Sequence, residues 1–210
     1  MAYRDTKAAV RALAEIAVTQ GGYFTARQAG EAGYGSSHLR YHLAAGNFER
    51  AGHGLYRIPT LPRAEHDDLL RLRFWSRDRD DQPQAVVSHQ TALALHELAE
   101  FIPTQIHLTV PTTFRKRPPK GCTLHKATVP ASDATEVDSL RVTTTLRTLR
   151  DLASDATMPT EQFQRAVEGA AERGLIRRSQ ASELTAIRRE IPSPNTARAT
   201  KAARSKRGRA

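Results

Sequence analysis

The hydrophobic pattern divides the chain before any chemistry is considered. Over residues 4–20, Val10, Leu13, Ala14 and Ala17 recur at three- and four-residue steps with Ile16 alongside, which predicts an amphipathic helix. From residue 21 to 59 the elements shorten. Leu39 and Leu43, four apart, give a short helix one inward face, and Phe48–Ala51 and Leu55–Ile58 read as strands either side of Gly52-His53-Gly54. Pro59 and Pro62 bracket a linker. Beyond it, Leu69, Leu70, Leu72, Phe74 and Trp75 supply the apolar surface of a helix over Glu65–Arg77. Ala92, Leu95 and Leu98 do the same for a helix over His89–Leu98. Gln105–Val110, Cys122–Ala127 and Leu140–Thr143 alternate in polarity and carry β-branched residues, as strands do. Three helices close the pattern. Leu146, Leu149, Leu152 and Ala153 stripe one after a Thr144 or Thr145 cap; Phe163, Ala166, Val167 and Ala170 stripe a second from Thr160 to about Arg173; Ser179 opens a third to about Arg189. Gly174 is a natural C-terminal cap for the second.

Local chemistry sharpens the first sixty residues. Thr25 and Gln28 have capping-box spacing, in which the hydroxyl covers an orphan amide and the glutamine reaches back, so a short helix runs from there to about Ala32. Gly33 and Gly35, flanking Tyr34, suit the positive φ of a sharp inter-helix turn, and Ser36 or Ser37 caps the next helix. Helix, short helix, turn, short helix and hairpin is the order of a winged helix-turn-helix. With Leu39 and Leu43 inward, Ser36, Ser37, His38, Arg40 and His42 are expected to face outward and Tyr41 to lie at the boundary, a composition suited to base edges and phosphates in a major groove. Arg50, His53 and Arg57 lie on or beside the wing, within reach of backbone phosphates, and Thr25 and Arg27 at the start of the first short helix complete the expected DNA-binding set. Winged helices also dock proteins, so the fold alone does not decide function.

Charge placement changes the picture further. Of a net +10, residues 1–60 hold 7 Lys/Arg against 4 Asp/Glu, residues 61–187 hold 17 against 17, and residues 188–210 hold 8 against 1. The excess sits in the winged segment and the tail, while the middle is neutral and points to a different job. The expected architecture is α+β: a winged helix-turn-helix over 1–60, a mixed α/β domain with a small sheet and several helices over 61–191, and a disordered basic tail over 192–210, rich in Pro, Ser, Ala and Arg. The basic run Arg115, Lys116, Arg117 and Lys120 reads first as a solvent-exposed loop tip, with contact to nucleic acid or to an acidic partner as the alternatives. No signal peptide opens the chain and no apolar run approaches the roughly 20 residues that span a bilayer, so a cytoplasmic protein is expected.

Enzymatic chemistry finds little support. Cys122 is the single cysteine, which leaves no internal disulfide and no cysteine-based zinc site. No Walker-type phosphate loop, Gly-x-Ser-x-Gly elbow or cysteine nucleophile is present. His89 and His96 stand seven apart, about two turns or roughly 10 Å along a helix, too far to chelate one ion. His107 and His125 lie on strands. The expectation is no enzyme, no cofactor and no metal.

Five segments in order resemble the AbiEi antitoxin and transcriptional-regulator family of type IV toxin–antitoxin systems: Gly-Gly-Tyr-Phe-Thr-Ala-Arg-Gln-Ala (21–29), Gly-Leu-Tyr-Arg-Ile-Pro (54–59), Ser-His-Gln-Thr-Ala-Leu-Ala-Leu-His (88–96), Ile-His-Leu-Thr-Val-Pro (106–111) and Leu-Arg-Val-Thr-Thr-Thr-Leu-Arg-Thr-Leu-Arg-Asp-Leu-Ala (140–153). The resemblance covers about residues 5–180. It implies an autoregulatory repressor that binds inverted repeats in its own promoter, as a dimer or as cooperative monomers, and that counteracts a nucleotidyltransferase-type toxin without necessarily forming a stable complex with it, in the setting of phage defence. It supplies no catalytic residues. The strand-to-helix stretch at 140–153 also occurs in proteins with a nuclease-like C-terminal part, but the 57 residues after Ala153 leave no room for such a core. The alternative is a stand-alone winged-helix transcription factor whose second domain senses a ligand or a protein.

Overall fold

Thr25 caps the second helix of the chain much as its sequence requires. In the computed structural model, which describes residues 6–155 and 158–190, its side chain accepts from Gln28 N at 3.2 Å, and Gln28 Oε1 accepts from Thr25 N at 2.9 Å. The basic tail expected over 192–210 lies outside the described residues. The fold is α+β, with helices and two small sheets. Two compact units divide it: one runs to Ala85 and takes in Asp138–Leu140, and the other comprises Val86–Val137 and the chain from Arg141 onward. No helix among the described residues is long and apolar enough to cross a membrane.

The first unit contains α1 (Thr6–Thr19), β1 (Tyr23–Thr25), α2 (Ala26–Glu31), α3 (Ser36–Ala44), β2 (Glu49–Gly52), β3 (Leu55–Arg57) and α4 (Asp67–Trp75). Its sheet has the order β1-β3-β2 and is antiparallel, with Phe24 and Arg50 both opposite Tyr56 and a bulge between Arg50 and Gly52. Leu13 and Ala17 of α1, Phe24, Ala29, Tyr34, Leu39, Phe48 and Tyr56 form one core. Phe24 is its centre, edge-on to Phe48 at 4.9 Å and stacked on Tyr56 at 5.7 Å. Such pairs add roughly 0.5–1.5 kcal/mol each beyond area burial. The three-residue β1 is too short to show alternation and was not read from the sequence.

Between α2 and α3 the expected glycine chemistry is half right. Gly33 has φ +101, in the region that favours glycine, whereas Gly35 has φ −70 and is itself the N-cap of α3, without a side-chain cap. Leu39 N donates to Gly35 O at 3.0 Å, so the helix begins one residue before the serines expected to cap it. Ser36 and Ser37 therefore occupy its first turn, with side chains exposed.

Helix α4, which sequence reasoning assigned beyond the linker, packs within the first unit. Tyr23 Oη donates to Asp67 Oδ1 at 2.8 Å, the Tyr23 ring lies 5.9 Å from that of Phe74, and Leu70 is buried. Gly21 makes this approach feasible. At φ +63, a Cβ there would meet Leu70 Cδ1 at 2.7 Å. Burial and the Asp67 contact push the Tyr23 phenol up to about 12.

The second unit contains β4 (Val86–Val87), α5 (His89–Leu95), β5 (Ile106–Val110), β6 (Cys122–Lys126), β7 (Ala134–Val137), β8 (Leu140–Thr143), α6 (Thr145–Ser154), α7 (Thr160–Glu172) and α8 (Arg178–Glu190). The sheet order is β6-β5-β4-β8-β7, with β4 antiparallel to β5 and parallel to β8, and β5 parallel to β6. Leu93 of α5, Leu149, Leu152 and Ala153 of α6, Phe163, Ala166, Val167 and Ala170 of α7 and Leu184 of α8 bury together. Thr144 caps α6 by accepting from Arg147 N at 3.4 Å, and Gly174 follows α7 at φ +70. Arg188 is buried and donates to the carbonyls of Asp155 (2.9 Å) and Met158, so it belongs to the core and not to the basic excess of the C-terminus.

Candidate functional site

Helix α3 sorts its residues into two sets. Leu39 is buried, and Leu43 packs partly against the same core. Ser36, Ser37, His38, Arg40 and Tyr41 are exposed, and Tyr41 is 67% accessible, unusual for so large an apolar ring. On the hairpin that follows, Arg50 is exposed with its guanidinium 5.8 Å from the Tyr56 ring centre, and His53 is exposed in the turn. Arg27 on α2 is exposed and donates to Arg79 O at 3.0 Å. These eight residues offer hydroxyls, imidazoles, guanidiniums and one aromatic face to solvent from consecutive turns and a hairpin.

Three residues of the expected set are placed elsewhere. Thr25 is buried, with its hydroxyl taken up by the cap and by Asp81. Arg57 is also buried, only 4% exposed, and donates to the carbonyls of Pro59 and Leu61. It sits on the central strand of a three-stranded sheet, and its partners are backbone, not solvent. His42 is the third. It lies three positions after Leu39 and so shares the inward side. Its ring packs 4.9 Å from Phe48 and 5.3 Å from Tyr34, and Asn47 Nδ2 is 3.1 Å from its Nδ1. Thr25 and Arg57 are thus turned into the first unit, while His42 is half-buried against its aromatic neighbours.

In the second unit, Arg115, Lys116, Arg117 and Lys120 are exposed on the irregular connection between β5 and β6, beside the buried Phe114.

The histidines behave differently from what their spacing suggested. His96 closes α5, and its Nε2–H donates to Thr143 O at 2.8 Å, a structural bond across 47 residues. His89, His107 and His125 come together. Parallel pairing of β5 with β6 sets Thr109 opposite His125, so His107 and His125 share a face two residues apart. Ser88 N donates to His107 O at 3.1 Å and brings His89 alongside. The His89 and His125 rings stack at 3.5 Å and 13°, and His107 Nδ1 lies 3.0 Å from His125 Nε2. Burial, with the neighbouring imidazoles adding, pushes His89 down to about 3; burial also lowers His107 and His125. Asp155 and Asp151 act on His125 in the opposite sense. On α6, Asp151 Oδ1 accepts from Arg147 Nε at 2.9 Å, while Oδ2 is buried without a hydrogen-bond partner. Its carboxyl is raised by burial against the opposing pull of Arg147. The expectation of no metal rested on the distance from His89 to His96 and missed this convergence. Alternation along two strands gives each histidine a face; no sequence spacing says that the two faces meet.

Comparison with known proteins adds three findings. Residues 11–59 match the family model described as "Transcriptional regulator, AbiEi antitoxin", which covers the 21–29 and 54–59 segments but none of the three later ones. No curated protein matches the chain. A solved structure, "Crystal structure of RV2827C protein from Mycobacterium tuberculosis", aligns with 19% identity over 88% of this chain and 83% of that one, at a TM-score of 0.45.

Proposed function

We propose that this protein is a DNA-binding transcriptional regulator that serves as the antitoxin of a toxin–antitoxin pair, with its N-terminal unit acting as a winged helix-turn-helix. The observation that carries the reading is α3: it buries Leu39 and exposes Ser36, Ser37, His38, Arg40 and Tyr41, within the segment that matches the AbiEi antitoxin regulators. The order α1, α2, the Gly33 turn, α3 and the β2–β3 hairpin supports it further. A helix of this composition suits a major groove, where Arg40 pairs with guanine edges and Tyr41 offers an apolar face to thymine methyls. Arg50 and His53 on the wing and Arg27 on α2 serve as phosphate contacts, which fix register without reading sequence.

On this reading the protein represses its own operon through inverted repeats and counteracts a nucleotidyltransferase-type toxin through the second unit, where Arg115–Lys120 is the candidate surface. The test is binding of the purified chain to its own upstream DNA and to a scrambled duplex across a salt series, with co-expression of the neighbouring gene in a growth assay. Preference for the native fragment that survives raised salt supports regulation, and rescue of growth supports the antitoxin role. Specific binding without rescue leaves a stand-alone regulator. Equal and steeply salt-dependent binding to both duplexes overturns sequence-specific regulation.

A further inference from the structure

The histidine stack lies in the second unit and has no part in the DNA reading, so it stands independently of it. One ligand atom each from His89, His125 and Asp155 falls within 4.8 Å of the others, the one such group among the described residues. The three come from separate elements: His89 from the start of α5, His125 from β6 and Asp155 from the end of α6. Their convergence is not a by-product of one helix face. His89 also has φ +52, a left-handed backbone conformation that a histidine adopts only at a cost. Close by, Asp151 acts on the charge of His125 and leaves a buried carboxylate oxygen unpartnered.

We propose that His89, His125 and Asp155 bind a first-row divalent cation of the zinc class. Two imidazoles and a carboxylate form the nitrogen-and-oxygen donor set such ions take, with bonds of about 2.0–2.2 Å. Ser88 Oγ is 3.0 Å from Nδ1 of His89, which fixes that ring and leaves Nε2 as its ligand atom. Lone pairs lie in the ring plane, so two rings stacked at 13° cannot both point at one ion. Coordination therefore requires one ring to turn out of the stack; His125 turns, giving up its 3.0 Å contact with His107 Nδ1. The ion ties α5, β6 and the end of α6 together, so its role is structural.

The experiment uses the full chain, stripped with EDTA, and titrates it with zinc chloride by calorimetry and with cobalt chloride by visible absorption. The expected result is one ion per chain, with cobalt bands of four- or five-coordinate nitrogen-and-oxygen geometry. H125A should weaken zinc binding at least tenfold, and H38A, an exposed histidine of the first unit, should leave it unchanged. Should H125A fail to fold by circular dichroism, D155N decides, since the carbonyl that Arg188 uses remains; it too should weaken binding about tenfold. Absence of zinc uptake by the wild-type chain, unchanged affinity in D155N, or equal loss in H38A overturns the site.

Discussion

The two units handle their polar side chains in opposite ways. In the first, the longest polar stretch of α3 is turned to solvent, and the few polar groups inside, such as Thr25 and Arg57, bond to nearby backbone or to a single side chain. In the second, polar groups are gathered inward: the three histidines, the Thr143–Thr148 hydroxyl pair at 2.7 Å, Arg147 between Asp133 and Asp151, and Arg188 beneath α8. A buried polar group left unpaired costs about 1–3 kcal/mol, so the second unit, with its larger buried clusters of polar side chains, depends more heavily on such bonds than the first. The difference separates residues that can meet a partner from residues that hold a shape. It also explains why local neutrality over 61–187 does not mean local inertness.

That contrast can be broken in several ways. Phe163→Ala removes the largest apolar side chain of the second core and should cost roughly 3–5 kcal/mol in urea denaturation; a loss under about 1 kcal/mol would mean that the cluster is not the unit's core. Arg57→Ala leaves two carbonyl acceptors unmet and should lower stability by about 1–3 kcal/mol. Its salt slope for DNA should not change, and a slope reduced by about one would return Arg57 to the phosphate contacts. The units should also fail at opposite ends of the pH scale. With His89 held at about 3 against an ordinary 6.5, the unfolded chain takes up a proton that the folded chain refuses. In EDTA-stripped protein, stability should thus fall as pH drops from 6.5 toward 3, by up to about 1.4 kcal/mol per pH unit for that residue. Tyr23, raised from 10.0 to about 12, works the other way: the unfolded chain ionises first, and the first unit should weaken as pH climbs through that interval. Thr25→Ala should cost about 1 kcal/mol as a lost cap, with DNA affinity per folded molecule unchanged.

Much of the scaffold was legible in the residues. The Thr25–Gln28 cap, the strands beginning near 106, 122 and 140, the Thr144 cap and the Gly174 stop follow from local rules, and the structure has them all. What could not be read depends on contacts made at long range. Strands β1, β4 and β7 are two to four residues long and exist because a neighbour pairs with them. Helix α4 joined the first unit through Tyr23 and Gly21, far away in sequence. Arg57 and Arg188 look like surface cations in any count of charge, yet both are buried on backbone carbonyls. His42 is half-buried against Phe48 and Tyr34, as its position three residues after Leu39 allows. The histidine stack needed the β5–β6 register, which no single-sequence pattern supplies.

The most direct test of the central claim compares wild-type protein with Arg40→Ala on the native upstream duplex and on a scrambled one, over a series of salt concentrations. If α3 reads DNA, the variant melts at the wild-type temperature because Arg40 is exposed, and loses about 1–3 kcal/mol on the native duplex with little change on the scrambled one. Wild-type affinity for both duplexes in the folded Arg40→Ala protein would contradict it.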